Sequence, residues 1–337
     1  MQQLGIQSDV SKTGMKKILA ADIGGTNSRF AHFNVEEGGK LTLAGVKWLP
    51  TKDADSFNSL IEQLKSSDFS LPPDQADIAV FAVAGPVEHG SYSAPPYISW
   101  DIDISDAQKK LGIKNSVLIN DFVAQAYACR SPVGKASREI IQGQIVTDAA
   151  VAVIGAGTGL GKAVLLPDGN GGFLAAPSEG GHAYFPFISG QECEFQRFLM
   201  KKLSEKHITG NLVVSGKGLS HIHWFLKEEY LKPEDVAKTF STESDTLAWA
   251  ARFYGRVCRD YALLTLSLGG LYIAGGLAAK IPELVTHEEF KREFHSSSTM
   301  GHLLRKIPVF LITDENSGLW GAAFLGLQKL RLQKERS

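Results

Sequence analysis

Cysteine is scarce in this chain: three residues, Cys129, Cys193 and Cys258, in 337. An odd number at wide spacing cannot close a disulfide framework, and no CxxC pair offers a metal-binding spacing. The pattern fits a reducing compartment, so a cytoplasmic location is expected. Net charge is nearly absent too. Lys and Arg number 35 against 36 Asp and Glu, leaving −1. That removes the electrostatic case for nucleic acid or an anionic membrane surface. Residues 1–17 are polar and lack an apolar h-region, so no secretory signal is expected. Residues 1–14 are expected to form a disordered leader or to lie upstream of a start at Met15. One uncharged run, Tyr261 to Ala279, has bilayer-spanning length. Gly269-Gly270 and Gly275-Gly276 divide it, which predicts a helix followed by a short strand. No Gly-x-Ser-x-Gly elbow for acyl transfer occurs.

What is present is glycine in two hairpins. The first reads Asp22-Ile-Gly24-Gly25-Thr26-Asn27 between apolar runs at 18–23 and 28–33. The second reads Gly155-Ala-Gly157-Thr158-Gly159-Leu-Gly161 between apolar runs at 150–154 and 163–166. Both flanks read as strands. Glycines let backbone N–H groups converge, and the adjacent threonine hydroxyl adds a donor, so each turn suits a phosphate. Two such turns can grip a polyphosphate from both sides. A P-loop is excluded because Gly161-Lys162 is followed by Ala163 and Ala156 stands five places before Gly161. A dinucleotide fingerprint is excluded because Leu160 takes the place of its third glycine and the turn leads into a strand. Two ordinary hairpins remain the plain alternative.

Elsewhere, Asp77–Ala84, Asn115–Ile119, Leu271–Ala274 and Pro308–Ile312 are short apolar runs of the buried, parallel-sheet kind. Helical stretches are expected at 53–65, 105–111, 122–128, 191–206, 242–268 and 317–333. Strands alternating with helices predict an α/β fold with mostly parallel sheets. The pattern breaks at Arg130-Ser-Pro-Val-Gly, which places a domain boundary near residue 130.

Asn120-Asp121 follows a strand and precedes a helix, where open α/β sheets bind ligands. A carboxylate there can take a hydroxyl proton, or it can simply cap the helix. Asp22 ends a strand beside the first turn; it can orient hydrated Mg²⁺ or close the turn. Glu179-Gly-Gly-His182 places a carboxylate and an imidazole around two glycines, able to face one small polar ligand or to form a surface loop. It lacks a third ligand at zinc spacing.

These segments, together with Ser215-Gly-Lys-Gly218, Ile273-Ala-Gly-Gly276 and Asn316-Ser-Gly-Leu319, stand in the order seen in bacterial-type glucokinases, and the resemblance runs from about residue 17 to 330. It implies the two-lobed hexokinase/actin-like (ribonuclease H-like) fold with a central cleft. The implied small lobe is 15–130 plus 314–337, and the large lobe 131–313. The implied activity is ATP-dependent phosphorylation of glucose to glucose 6-phosphate, at the head of glycolysis, with Mg²⁺ held by Asp22. Alternatives are a kinase for another hexose or amino sugar, or a sugar- or nucleotide-binding sensor without turnover. Asp121 matches the catalytic base; Asn120, Glu179 and His182 match the other sugar ligands, with Gly159 beside them. Asp22, Gly24, Gly25, Thr26 and Asn27 match the first phosphate segment. Gly155, Gly157, Thr158 and Gly159 match the second, and Gly275 and Gly276 the nucleoside turn. A homodimer is suggested by resemblance alone. Two departures stand out. Asn211 occupies a position that is usually a glutamate facing the sugar, and Tyr97-Ile-Ser-Trp100 replaces a Thr-Asn pair. The cysteine-rich zinc motif of the related repressor–kinase group is absent, as is an N-terminal helix-turn-helix segment.

Overall fold

The computed structural model describes residues 15–241 and 244–335. The expected leader, 1–14, lies outside the described residues, as do the last two residues of the expected small lobe. Two mixed sheets repeat one pattern, and they are not the mostly parallel sheets expected, because each opens with an antiparallel three-stranded meander. In the first, β1 (Lys16–Ile23), β2 (Asn27–Val35) and β3 (Leu41–Pro50) form an antiparallel meander, and β1 continues parallel to β4 (Ile78–Val83). A two-residue pair, β5 (Tyr92–Ser93) with β6 (Ile102–Asp103), stands apart, and β7 (Ser116–Asn120) closes the sheet in the order β3-β2-β1-β4-β7. In the second, β9 (Val151–Ala156), β10 (Leu160–Pro167) and β11 (Phe173–Ser178) form the meander. β12 (Leu271–Ala274) and β13 (Val309–Leu311) add in parallel, and β8 (Arg138–Ile141) pairs antiparallel at the far edge. The order is β11-β10-β9-β12-β13-β8.

The central strands explain the unbroken apolar runs. β4 (IAVFAV) and β9 (VAVIGA) are buried at every residue because each sheet is covered on both faces. The outer face of the first sheet packs Phe57, Leu60, Ile61 and Leu64 of the helix Phe57–Lys65. The outer face of the second packs the helix Asp245–Thr265. Between the sheets lies a shared core. Ile18, Ala20 and Val80 on one side, and Val151, Val153 and Ala163 on the other, meet Val123 and Tyr127 of the helix Asp121–Ala128 and Leu319 and Ala323 of the helix Ser317–Glu335.

The expected elements are present with shifted ends. The helix expected from Thr242 begins at Asp245, where Ser244 Oγ accepts the Leu247 N–H at 3.4 Å; Thr242 lies outside the described residues. It stops at Leu266, which adopts a left-handed φ of 45°. The uncharged run 261–279 is thus the end of this helix, β12 and the start of the short helix Gly276–Lys280, and no helix among the described residues is long and apolar enough to cross a membrane. A fully buried guanidinium locks the large helices together. Arg256 donates to Glu192 at 2.6 and 3.0 Å, to Glu293 at 2.8 Å and to the Pro186 carbonyl at 2.8 Å. Its charge is therefore fully paired, as burial requires.

Candidate active site

The carboxyl ends of β1, β4, β7 and β9, with the start of β10, surround a cleft of about 1010 Å³. Both hairpin turns reach it. Asp22, Gly24, Gly25 and Thr26 line it from the first sheet, and Gly157, Thr158 and Gly159 from the second. Asn120, Asp121, Glu179, His182, Asn211 and Gly275 join them. Three of the residues read from the sequence do not line it: Asn27, Gly155 and Gly276. Gly155 has a packing reason to be glycine. A Cβ there would lie 2.1 Å from the Ala274 carbonyl oxygen, so the approach of β9 to β12 requires its absence. Gly275, at φ +89°, makes the tight exit from β12 that a side chain would strain.

The two readings of Asn120-Asp121 separate cleanly. Asn120 is the helix cap: its Oδ1 accepts the N–H groups of Phe122 at 2.9 Å and Val123 at 3.3 Å. Its Nδ2 donates to the Gly85 carbonyl at 3.0 Å, which leaves one N–H for a ligand. Asp121 is thereby released from capping. It is the first helical residue, and Oδ1 accepts only the Phe122 N–H, at 2.9 Å. Burial, then the charges of Asp22 and Glu179, push its carboxyl up to about 7. That is the range in which a carboxylate both exists at neutral pH and accepts a proton readily.

Asp22 is paired with Arg29, whose guanidinium also reaches the Glu315 carbonyl and stacks over Trp48 at 5.2 Å. Glu179 caps and His182 ends a single 3₁₀ turn, Gly180–His182, with Oε2 and Nε2 4.0 Å apart and both side chains largely exposed at the cleft. Asn211 Oδ1 accepts the Leu160 N–H at 2.7 Å, which turns its amide N–H groups free of the backbone. Tyr97, the other departure, lines the same cleft.

Four polar side chains of the cleft carry no role in the sequence reading. Arg29 lay inside the first motif but carried no assigned role. Ser178 stands directly before the Glu179-Gly-Gly-His182 segment without a role of its own. Gln125 stands four places after Asp121, a helical spacing that puts both on one face. Its Oε1 is buried and has no hydrogen-bond partner in the protein. Lys162 does not complete a P-loop, yet it lines the cleft.

The glucokinase family model matches residues 19–329. The chain belongs to the glucokinase family. A glucokinase of a Nostoc species is 32% identical over 345 residues, covering 92% of this chain and 98% of that protein. Among solved structures, a glucokinase from an Antarctic psychrotroph superposes with TM-score 0.79 at 27% identity, covering 93% of this chain and 99% of that one. A ROK family glucokinase from Streptomyces griseus, solved with glucose and AMPPNP, shares the fold at TM-score 0.56 and 19% identity, covering 93% of this chain and 99% of that one. The enzyme therefore has the two-domain sugar kinase fold expected from its sequence.

Proposed function

We propose that this glucokinase-family enzyme transfers the γ-phosphoryl group of ATP to the 6-hydroxyl of glucose. The observation that carries the reading is Asp121. It is a carboxyl raised to about 7, freed from capping by Asn120, in a cleft reached by both glycine turns. In-line phosphoryl transfer is chiefly positioning and electrostatics, and the attacking hydroxyl must lose its proton. Asp121 receives that proton. Glu179, His182, Asn211 and the remaining N–H of Asn120 hold other sugar hydroxyls. Backbone N–H groups at Gly25–Thr26 and Thr158–Gly159, with the Thr26 and Thr158 hydroxyls, hold the phosphates, while the Gly24 and Gly157 N–H groups close their own turns on the Asn27 and Gly159 carbonyls. Gly275 lies beside the nucleoside. Asn27 and Gly276 flank these turns without lining the cleft.

Mg²⁺ fits the residues present. Hard cations take oxygen ligands and keep several waters. Asp22 retains its second carboxylate oxygen; beside it the Gln125 amide turns Nε2 toward Gly318. Asp22 would hold the hydrated ion, which when bound neutralises phosphate charge. Among the described residues no cluster of three or more His, Cys, Asp or Glu suits a metal ion.

We assign residues 15–130 and 314–337 to the small lobe and 131–313 to the large one. The packing of helix Ser317–Glu335 onto β1 and β4, and the start of the second sheet at Arg138, support the division. Cytoplasmic residence, a place in glycolysis and a homodimeric state belong to the same reading and rest on family membership. A second reading, another hexose or an amino sugar, draws on Asn211 and Tyr97 in the cleft. Coupled detection of ADP release across a sugar panel tests both. Glucose with the highest kcat/KM is expected. Preference for another sugar selects the second reading, and no turnover with any sugar leaves a sensor.

A further inference from the structure

Lys162 is an unpaired cation at the cleft. It stands on β10 directly after the second glycine turn, and its ammonium is partly withdrawn from water. Among the described residues no carboxylate lies within 4 Å of it; its polar contact is the Gly180 carbonyl, to which Nζ donates at 3.3 Å. The ammonium also lies 5.4 Å from the centre of the Tyr261 ring. Burial lowers its pKa, and the nearby Cys258 and Asp260 only partly oppose that. An ammonium held at such a cost without a counter-ion needs a reason.

The reason lies in what Gly180 is. It is the first residue of the turn between Glu179 and His182. That turn has few anchors of its own. The Gly180 N–H is taken by Ser178 Oγ at 3.1 Å, and the His182 N–H by the Glu179 carbonyl at 2.9 Å, so both bonds are local. The longer-range supports come from β10 and from one neighbouring segment. Gly181 rests so closely on Leu160 that a Cβ would lie 2.1 Å from its carbonyl oxygen. The Leu160 N–H holds Asn211 at 2.7 Å. The Ala183 carbonyl accepts the Gly210 N–H at 3.0 Å. Leu160 and Lys162 share one face of β10, because side chains alternate along a strand. The first residues of β10, immediately after the phosphate turn, thus form a platform under Glu179, His182 and Asn211.

We propose that Lys162 is a positioning residue for the sugar: its ammonium pins the Gly180 carbonyl to β10 and so fixes the Glu179–His182 turn in its sugar-binding orientation. The inference rests on the sugar-kinase reading and names one further determinant of sugar affinity within it. A charge-assisted bond to a carbonyl is stronger than a neutral one. The cation–π contact with Tyr261 keeps the lysine stem from swinging into the cleft. Because the phosphate turn precedes the platform and the nucleotide side is held separately, the effect falls on sugar binding and not on ATP.

Lys162→Met keeps the length and apolar stem and removes the charge and the donors. Lys162→Arg restores both. Steady-state kinetics with glucose and with ATP, together with the thermal shift produced by glucose alone, test the proposal. Lys162→Met is expected to raise the glucose KM by about tenfold and to diminish the glucose-induced thermal shift. Its kcat and its KM for ATP should stay within about twofold of wild type. Lys162→Arg should recover most of the glucose affinity. An unchanged glucose KM in a folded Lys162→Met protein overturns the proposal. So does an equal loss toward glucose and ATP, or a failure of Lys162→Arg to recover affinity. If Lys162→Met does not fold, Lys162→Arg and Lys162→Gln, which retains a neutral donor, give the same comparison. Wild-type protein inactive toward every sugar would instead bring down the sugar-kinase reading itself.

Discussion

Gln328 hydrogen-bonds both peptide groups of Phe173: Oε1 accepts its N–H at 2.9 Å and Nε2 donates to its carbonyl at 2.8 Å. One side-chain amide thus pairs the edge strand β11 as a further strand would. The Tyr127 hydroxyl shares the same carbonyl at 3.3 Å, and the Arg130 guanidinium lies 4.8 Å over the Phe173 ring. Helices of one proposed lobe are therefore clasped to the sheet edge of the other, on the side away from the cleft mouth. Gln328→Ala strips partners from two backbone groups. It is expected to cost roughly 1–3 kcal/mol, toward the lower end because water reaches an edge strand. Differential scanning calorimetry should show a Tm lower by several degrees at most. An unchanged Tm means that the clasp is replaced by water at no cost.

Asp121 sets the pH behaviour. As general base it must be ionised, and its carboxyl is raised to about 7. The rate at saturating substrates should therefore fall as pH drops through about 7 and level off above it. Asp121→Asn should lower kcat by at least about 10²-fold, with a much smaller change in sugar binding. Stability moves the other way. The folded pKa lies above the ordinary carboxyl value, so ionising Asp121 burdens the folded state. That burden is absent below about pH 4, grows up to about pH 7 and is constant above it. Asp121→Asn should consequently be the more stable protein at pH 8, with the advantage vanishing near pH 4. Near-normal kcat in the variant would sink the general-base assignment.

The threonine of each hairpin turn carries a separate prediction. Thr26 and Thr158 both line the cleft with exposed side chains. Valine keeps the volume and removes the hydroxyl donor. Hydrogen bonds to charged groups contribute roughly 1.5–3 kcal/mol, so each variant should lose about tenfold or more in kcat/KM for ATP. Glucose-binding affinity measured without nucleotide should be unaffected. If both variants match wild type toward ATP, the turns are structural hairpins and the phosphates bind elsewhere.

Much of the fold was legible because its signals are local. The alternation of residues around Gly24-Gly25 and Gly157–Gly159 specifies two hairpins, and β4 and β9 announce themselves as unbroken apolar runs. β8 did not, since Arg138 and Glu139 are exposed and its pairing with β13 is long-range. The division of labour between Asn120 and Asp121 was also hidden. Either residue type can cap a helix, and only the backbone decides which one does. Gln125 and Lys162 escaped notice for a related reason: their significance is a missing partner, Oε1 without a donor and an ammonium without a carboxylate. Absence of a partner is a property of three-dimensional surroundings and leaves no trace in the sequence.

Asn211 lines the cleft where the family resemblance implies a glutamate, and the structure sharpens the consequence. Oδ1 is committed to the Leu160 N–H at 2.7 Å, so what the side chain offers the cleft is its amide N–H pair. A sugar hydroxyl can accept from that amide, but it loses the carboxylate acceptor that a glutamate would provide. Hydrogen bonds to charged groups contribute roughly 1.5–3 kcal/mol and neutral ones about 0.5–1.5. The difference, on the order of 1 kcal/mol, corresponds to about fivefold in affinity. Asn211→Glu should therefore lower the glucose KM by about that factor while kcat stays nearly constant, because the contact is made equally in ground and transition states. Space is limited on one side: a Cβ on Gly181 would lie 2.4 Å from Asn211 Oδ1, so the longer side chain must extend toward the cleft and away from the turn. Sugars that present an acceptor where glucose presents a hydroxyl should lose affinity in the same variant, since the amide donors are gone. Steady-state kinetics with glucose and one such analogue, on wild type and variant, give the crossed comparison. A glucose KM that does not move shows that residue 211 does not face the sugar, and that the role of Asn211 is confined to holding Leu160.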